Sequence, residues 1–255
     1  MWARPFPFLG TVIVTVPHVS TAARLDNVEH AALKLRRGHG SPFGEGVNQV
    51  AVFASEFLEV QREYPILFTR GEDGALQGVA ILGLERDENL FLEGNRWDAN
   101  YLPALFARGP FLIGFSGSEP IIHVDLAHPR IAGEGEDGDP VFLAQGGSGP
   151  VLEAAMAALR AIHIGSVAAP VMTKLFDELG LGESVSMEVQ LSDTAAINFD
   201  GYLAITSEQL AALDAEALGR LSAAGLLDVA IYAAASLGTM NHLAARKRRK
   251  DAGKA

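Results

Sequence analysis

Two residue patterns follow one another along the 255-residue chain, and this change constrains the fold more than any other feature. In residues 1–132 short apolar runs, such as 66–68, 79–84 and 90–92, alternate with charged turn segments. Residues 151–246 are instead rich in alanine and leucine at helical spacing. Because runs of strands precede runs of helices, the order indicates an α+β fold and excludes a doubly wound parallel sheet.

We expect antiparallel meander sheets in the N-terminal half and a helix-rich C-terminal half that contains one β-hairpin at 184–205. Every second residue from 185 to 191 is apolar and its neighbours are polar, which is the cleanest two-residue period in the chain. The spacing of Thr206 and Gln209 predicts a capping box at the start of a helix, and Asp214 is predicted to cap the next helix.

The two parts meet at an acidic, glycine-rich loop region, residues 133–150, with one short strand predicted at 141–144. We expect one compact domain. Other predicted elements are a strand at 11–16, a short helix at 25–35, a helix at 55–64 capped by Ser55, a helix at 101–107 capped by Asp98 or Asn100, a helical pair at 151–164 and 170–179, and a basic disordered tail at 247–255.

Charge and composition exclude several function classes. The formal net charge is −11, but residues 246–254 carry six cations and one carboxylate, so the remainder carries −16. Such an acidic body repels a phosphate backbone, so we expect no nucleic-acid binding. The chain has no cysteine, which excludes disulfides, thiol catalysis and zinc sites with thiolate ligands.

The N-terminus reads poorly as a signal peptide, because prolines and threonines interrupt its apolar stretch and only Arg4 precedes it. No apolar run in the sequence has the roughly 20 residues that span a bilayer. We therefore expect a cytoplasmic protein without a transmembrane segment, with export as the alternative.

The densest group of chemically versatile side chains is Arg96, Trp97, Asp98, Asn100 and Tyr101. Arg96 can clamp a carboxylate through two hydrogen bonds, and the two aromatic rings offer stacking faces, so the motif is a candidate ligand-binding site. The alternative is structural, with both rings buried, the carboxylate capping a helix and the arginine paired with it.

A second candidate is a metal site at His123 and Asp125, which share one face of a predicted strand. Two histidines and one carboxylate are the ligands of non-haem iron(II) oxygenases, and His163 is the preferred third ligand. His242, His128 and His30 are alternatives. No metal-binding helix motif supports this site, and we predict no cofactor, with Fe(II) as the alternative.

Two glycine-dense segments, 38–46 and 146–149, lack the spacing of phosphate-binding loops. No serine lies in a nucleophile-elbow pattern. Residues 38–48 are expected to form a mobile loop, with a lid over a site as the alternative.

Several motifs together resemble the SapC family of bacterial proteins: residues 57–68, 79–84, 88–91, 96–105 and 109–111, and in the second half 199–203, 226–232 and 235–241. The histidine at position 123 departs from the family pattern, whereas Asp125 fits it. The resemblance implies a link to a surface layer or to nutrient uptake through TonB-dependent receptors. It also implies neighbours such as flavin-dependent tryptophan halogenases and cupin-like hydroxylases.

We therefore expect an accessory protein that binds a partner protein, a peptide or a small molecule. The partner is expected to be a halogenase or a hydroxylase, and the alanine-rich segment 223–245 can supply a surface for it or for a homo-oligomer. The alternative is an iron oxygenase or peptide-modifying enzyme that uses His123 and Asp125, with a substrate clamp at Arg96.

Overall fold

The computed structural model describes residues 22–116, 119–192 and 195–253. The strands are β1 (Ala22–Arg24), β2 (Lys34–Leu35), β3 (Gln49–Val52), β4 (Ile66–Arg70), β5 (Leu76–Ile81), β6 (Leu92–Glu93), β7 (Arg96–Trp97), β8 (Phe111–Ser116), β9 (Glu119–Asp125), β10 (Asp139–Pro140), β11 (Glu183–Ser192) and β12 (Ala195–Ala204). The α-helices are α1 (Phe57–Val60), α2 (Ala104–Ala107), α3 (Pro150–Glu178), α4 (Ser207–Ala211), α5 (Ala215–Ala223), α6 (Leu227–Ser236) and α7 (Met240–Ala252). Short 3-10 helices lie at Ser41–Phe43, Ala54–Glu56 and Leu237–Thr239.

The main sheet has five antiparallel strands in the order β11-β12-β4-β5-β3. Strands β4 and β5 form a hairpin in which Ile66 pairs with Ala80. Strand β12, from the second half of the chain, pairs with β4 through Leu203 and Phe68. The sheet therefore combines strands from both halves, and the predicted α+β fold is confirmed.

A smaller sheet, in the order β1-β9-β8, packs against the N-terminal half of the long helix α3. Phe111 and Val124 of this sheet are buried with Leu152 and Leu159 from the first half of α3. Phe176, near the end of the same helix, belongs to the larger core around the five-stranded sheet. One helix thus packs against both cores.

The long helix corrects the prediction of two helices at 151–164 and 170–179. Pro170 lies inside the continuous helix, although proline removes one backbone hydrogen bond. Packing of both helix halves on the two cores outweighs this local cost. At the middle of α3, a Cβ on Gly165 would lie 2.4 Å from Cβ of Phe53, so only glycine permits this approach.

Ser55 does not cap the helix predicted at 55–64, which corrects a second prediction. Its hydroxyl instead donates a hydrogen bond to the Ala161 carbonyl at 2.6 Å.

The second half follows the predicted local signals closely. The hairpin at 184–205 is present as β11 and β12. Thr206 and Gln209 form the reciprocal capping box of α4, with hydrogen bonds of 2.9 and 3.2 Å. Asp214 caps α5 by accepting a hydrogen bond from the Ala217 amide at 2.8 Å.

The helix predicted at 25–35 is absent, since the structure has turns between β1 and β2. A carboxylate oxygen of Asp26 accepts hydrogen bonds from the amides of Val28 and Glu29 at 2.8 and 3.0 Å. Such a side chain competes with helical hydrogen bonding and stabilises a turn instead. The strand predicted at 11–16 lies outside the described residues.

Two further elements differ from prediction. The strand expected at 141–144 is replaced by a tight loop in which the Leu143 amide donates to the Gly147 carbonyl at 3.0 Å, and the short strand β10 precedes it. The basic tail expected at 247–255 is helical as far as Ala252. Its first residue, Lys247, is buried, and three carboxylates around its ammonium group compensate the buried charge.

By length and hydropathy alone, α3 passes the test for a membrane-spanning helix, and 28% of its most apolar window is buried. The pair formed by α5 and the segment 227–252 passes only if a 103° bend is ignored. Core helices pass the same test, so this is weak evidence against the prediction that no segment spans a membrane.

Candidate functional site

The side chain of Trp97 is a structural centre of the predicted ligand-binding motif. It is 8% exposed, and its indole N–H donates to the Tyr64 hydroxyl at 2.9 Å. That hydroxyl donates in turn to the Tyr101 carbonyl at 2.5 Å. The rings of Phe91 and Phe106 lie 6.3 and 5.5 Å from the indole, centroid to centroid. Because its faces are covered by protein, the burial of Trp97 disfavours a stacking role.

The hydroxyl of Tyr101 points to a buried carboxylate. It donates to Glu56 at 2.7 Å, and the amides of Ala104 and Phe53 donate to the same carboxylate at 2.9 Å each. Burial raises the pKa of Glu56, and these three donors only partly offset that effect. The donor Ala104 is the first residue of α2, so Glu56 satisfies the start of this helix.

Asp98 and Asn100 do not cap a helix, which corrects the prediction for 101–107. Asp98 pairs with Arg246 of α7 at 2.7 Å, and this arginine lowers the pKa of Asp98. The side chain and backbone amides of Asn100 both donate to Glu63, at 2.8 and 2.9 Å. Tertiary partners from distant positions in the sequence have replaced the local caps.

Arg96 is the exposed member of the motif. Its guanidinium lies 2.8 Å from Glu93 and 3.4 Å from Asp98. Arg96 therefore already has carboxylate partners of its own chain. The structure brings the five motif residues together mainly as supports for neighbouring elements, and a ligand role for them stays a prediction.

A second buried carboxylate, Glu45, was not found from the sequence. It is 1% exposed and pairs with Arg130, while His39 Nδ1 and the Gly40 amide lie 3.1 and 2.7 Å from it. Burial alone raises the pKa of Glu45, but the contacts with His39, Arg130 and Gly40 lower it below its ordinary value. The ring of His39 also lies 5.9 Å from that of Trp97. The loop 38–48, expected to be mobile, is thus anchored to the fold by a buried ion pair.

The third buried group is Lys247, which also escaped prediction. Its ammonium lies 3.1 Å from both Glu85 and Glu88 and 3.3 Å from Asp251. Lys250 adds a second cation 3.2 Å from Glu88. A sequence signal existed: Lys247 continues the buried face formed by Met240, Leu243 and Ala244 at helical spacing.

The predicted metal ligands lie on different elements. His123 and Asp125 are on β9, and His163 is on α3. Asp125 is buried and accepts a hydrogen bond from the Ala127 amide at 3.0 Å, as a turn former would. Within the described part of the chain, no group of three histidine, aspartate or glutamate side chains can hold one ion. The iron site therefore has no observed ligand set, and it stays a prediction.

An open cleft of about 750 Å³ lies beside α7. Its cations are Arg62, Arg246, Arg248 and Arg249, and His242 adds an imidazole. None of the five motif residues and neither predicted β9 ligand lines it. The sequence prediction missed this cleft because part of its lining, Arg248, Arg249 and Ala252, was assigned to a disordered tail and the rest comes from other segments.

Comparison with known proteins adds a family to this geometry. The SapC family model matches residues 25–243. The chain belongs to the SapC family. The resemblance inferred from the sequence is therefore confirmed. No curated protein and no solved structure shows significant similarity to the chain.

The SapC match covers the five-stranded sheet, strands β8 and β9, the long helix and the clusters around Glu56 and Glu45, but it ends inside α7, before Lys247. Arg248 and Arg249 of the cleft lie beyond the matched residues. The family match therefore supports the fold as a whole and carries no assignment for the cleft.

Proposed function

We propose that this SapC family protein is a non-catalytic accessory protein, acting in the cytoplasm within a bacterial nutrient-uptake or surface-layer pathway. Its partner in this proposal is an enzyme such as a flavin-dependent halogenase or a cupin-like hydroxylase. The observation that carries the proposal is an apolar ridge on α3. Ile164, Val167 and Val171 are 54, 67 and 55% exposed, and their spacing places them on one helix face.

This ridge is unusual for a helix that is packed against two cores. Contiguous exposed apolar surface marks sites of protein association. Beside Val171 the ridge continues into a shallow groove of about 440 Å³ between α3 and α5, where Leu175 and Ala223 contribute apolar surface. A ridge next to a groove suits a partner helix or loop.

The buried polar clusters support a non-catalytic role. Glu45 forms an ion pair with Arg130, and Lys247 forms one with Glu88. The Glu56 carboxylate accepts hydrogen bonds from three donors. Catalytic groups need access to substrate, and these three are almost completely buried. Their contacts join distant segments of the chain and explain their burial without a reaction.

The test combines purified protein with a purified halogenase or hydroxylase encoded beside it. We expect a complex by size-exclusion chromatography with light scattering, and loss of that complex in Val167→Asp. The matched control is Val28→Asp, because Val28 is an 82% exposed valine in a turn far from α3 in sequence. A strict monomer that binds neither enzyme, equal loss in both variants, or binding of the ridge to lipid vesicles instead contradicts the proposal.

The alternative remains an iron-dependent oxygenase or peptide-modifying enzyme. Its check is metal analysis of protein purified without oxygen, compared with His123→Ala. Stoichiometric iron that is lost in the variant would replace the accessory function.

A further inference from the structure

The cleft beside α7 differs from the rest of the surface in its charge. Its walls are α7, from His242 to Ala252, and the segment after α1, which contributes Arg62 and Glu63. The ring of Phe91 lies at its base, 4.3 Å from the guanidinium of Arg246. A cationic cleft on a body with a formal charge of −16 is a local exception that needs an explanation.

Most cations of α7 already have anionic partners. Arg246 pairs with Asp98, while Lys247 and Lys250 share Glu88. These contacts hold α7 in place beside the cleft.

Arg248 and Arg249 are different. Among the residues that the structure describes, neither has a carboxylate within ion-pair distance. Arg248 makes only a 3.4 Å hydrogen bond to the Gln190 carbonyl. Both side chains belong to exposed residues and both line the cleft. Both guanidinium groups can therefore pair with the carboxylates of an anionic ligand.

The carboxylate of Glu63 does not neutralise them. It accepts hydrogen bonds from the Asn100 amide, the Asn100 side chain and the Tyr101 amide, between 2.8 and 2.9 Å. Its oxygens are therefore occupied by amide donors of Asn100 and Tyr101, and among the described residues Glu63 forms no ion pair with either arginine.

The spread of the side-chain donors along α7 indicates the shape of the ligand. His242 and Arg249 are seven residues apart on α7, which corresponds to about 10 Å along a helix. A single phosphate is bound by donors that converge on one point, whereas these donors form a row. Ala245 lies between them and provides an apolar contact. A row of imidazole and guanidinium donors with apolar spacers matches an extended peptide that carries several carboxylates.

We propose that the cleft binds a short acidic segment of a partner protein, with carboxylates paired to Arg248 and Arg249. The acidic body limits the ligand to a short segment, because a long polyanion would meet repulsion outside the cleft. This site is separate from the ridge on α3, so the inference does not depend on the proposed function.

The experiment measures fluorescence anisotropy of labelled hexaglutamate with the full chain at low ionic strength. We expect saturable binding that weakens with added salt, because exposed ion pairs are screened over about 8 Å at physiological ionic strength. The double variant Arg248→Ala/Arg249→Ala should weaken binding at least about tenfold, since each guanidinium contributes a charge-assisted hydrogen bond.

The matched control is Arg24→Ala/Arg160→Ala, which removes two exposed cations elsewhere. Its net charge equals that of the Arg248→Ala/Arg249→Ala variant. It should bind the peptide like the unmodified chain, and so should Val167→Asp on the ridge. Equal weakening in the two double variants shows a general charge effect and overturns the proposal. Displacement of the peptide by millimolar inorganic phosphate assigns the cleft to a compact anion and also overturns it. Equal affinity for a single-stranded oligonucleotide contradicts the preference for a peptide.

Discussion

The motif around Trp97 and the cleft beside α7 contrast with each other, and in each region the structure shows the reverse of what its sequence suggests. The motif concentrates a cation, a carboxylate, an amide and two rings in six residues, yet its buried groups bind one another or distant supports. The basic end of α7 has the composition of a solvated tail, yet it contains a buried lysine and two cleft arginines without carboxylate partners among the described residues.

The difference teaches that a density of reactive residue types does not by itself mark a site. The useful criterion is whether the hydrogen-bonding and charge requirements of a group are already met within the fold. By that criterion the buried groups of the motif around Trp97 already have partners within the fold, and the cleft is the place where we propose a ligand. The following predictions test this contrast through stability.

Removing the indole should have the largest effect. Trp97→Ala is expected to reduce the free energy of unfolding by about 4 kcal/mol, because it leaves a large cavity among buried rings. Urea denaturation measures the change, and Trp97→Phe gives a folded variant if alanine is not tolerated. Arg96→Ala is the control from the same motif, and its exposed ion pairs predict a change below about 1 kcal/mol. A mild effect of both tryptophan variants would show that the motif is not structural.

Lys247→Met should rank second, at about 3 kcal/mol, because it leaves Glu88 buried with only Lys250 as a cation. Arg248→Met is the matched control in the next residue of α7. It should change stability by less than about 0.5 kcal/mol, as exposed substitutions usually do. Similar losses in both variants would contradict the distinction between the buried and the cleft-facing side of this helix.

Tyr64→Phe should cost about 2 kcal/mol, because it leaves the Trp97 indole N–H buried without its acceptor. Tyr232→Phe removes a hydroxyl for which the described residues show no hydrogen bond, and it should be nearly neutral. Chemical denaturation of both variants gives the comparison. If they are equally stable, the hydrogen bond from Trp97 contributes nothing measurable.

The smallest expected effect is on the pH dependence of stability. Burial alone raises the pKa of Glu88, but hydrogen bonds from Lys247 and Lys250 lower it below the ordinary value of 4.5. The folded state therefore binds fewer protons than the unfolded state, so Glu88 stabilises above about pH 4.5 and this contribution is lost as the pH falls. Urea midpoints between about pH 3.5 and 6 should fall less steeply with acid in Glu88→Gln. An unchanged slope would contradict this assignment.

The local elements of the second half were predictable, because their signals lie within a few residues. The alternation in 184–205, the capping box at Thr206 and the cap at Asp214 each depend on neighbours in sequence. The continuity of α3 was not predictable, since Pro170 indicates a break that only packing on two cores overrides. Tertiary contacts decide such cases, and no local pattern reports them.

The candidate site shows the same limit. Residues 96–101 were correctly found as a group with close contacts, but whether their partners come from the fold or from a ligand depends on α7, far along the chain. Glu45 had no readable signal, because its partner Arg130 lies in another loop. Lys247 was readable in principle from its place on the apolar face of its helix.

The pairing of β12 with β4 has a consequence for synthesis on the ribosome. Phe68 of β4 pairs with Leu203 of β12, which is synthesised much later. One edge of β4 therefore has no neighbour in the main sheet until the hairpin of β11 and β12 has emerged from the ribosome. Open strand edges attract other strands, and closing so long a loop is entropically costly. A nascent chain that has not yet released residue 204 therefore exposes an adhesive edge, and chaperones that cover such edges become important while translation is still in progress.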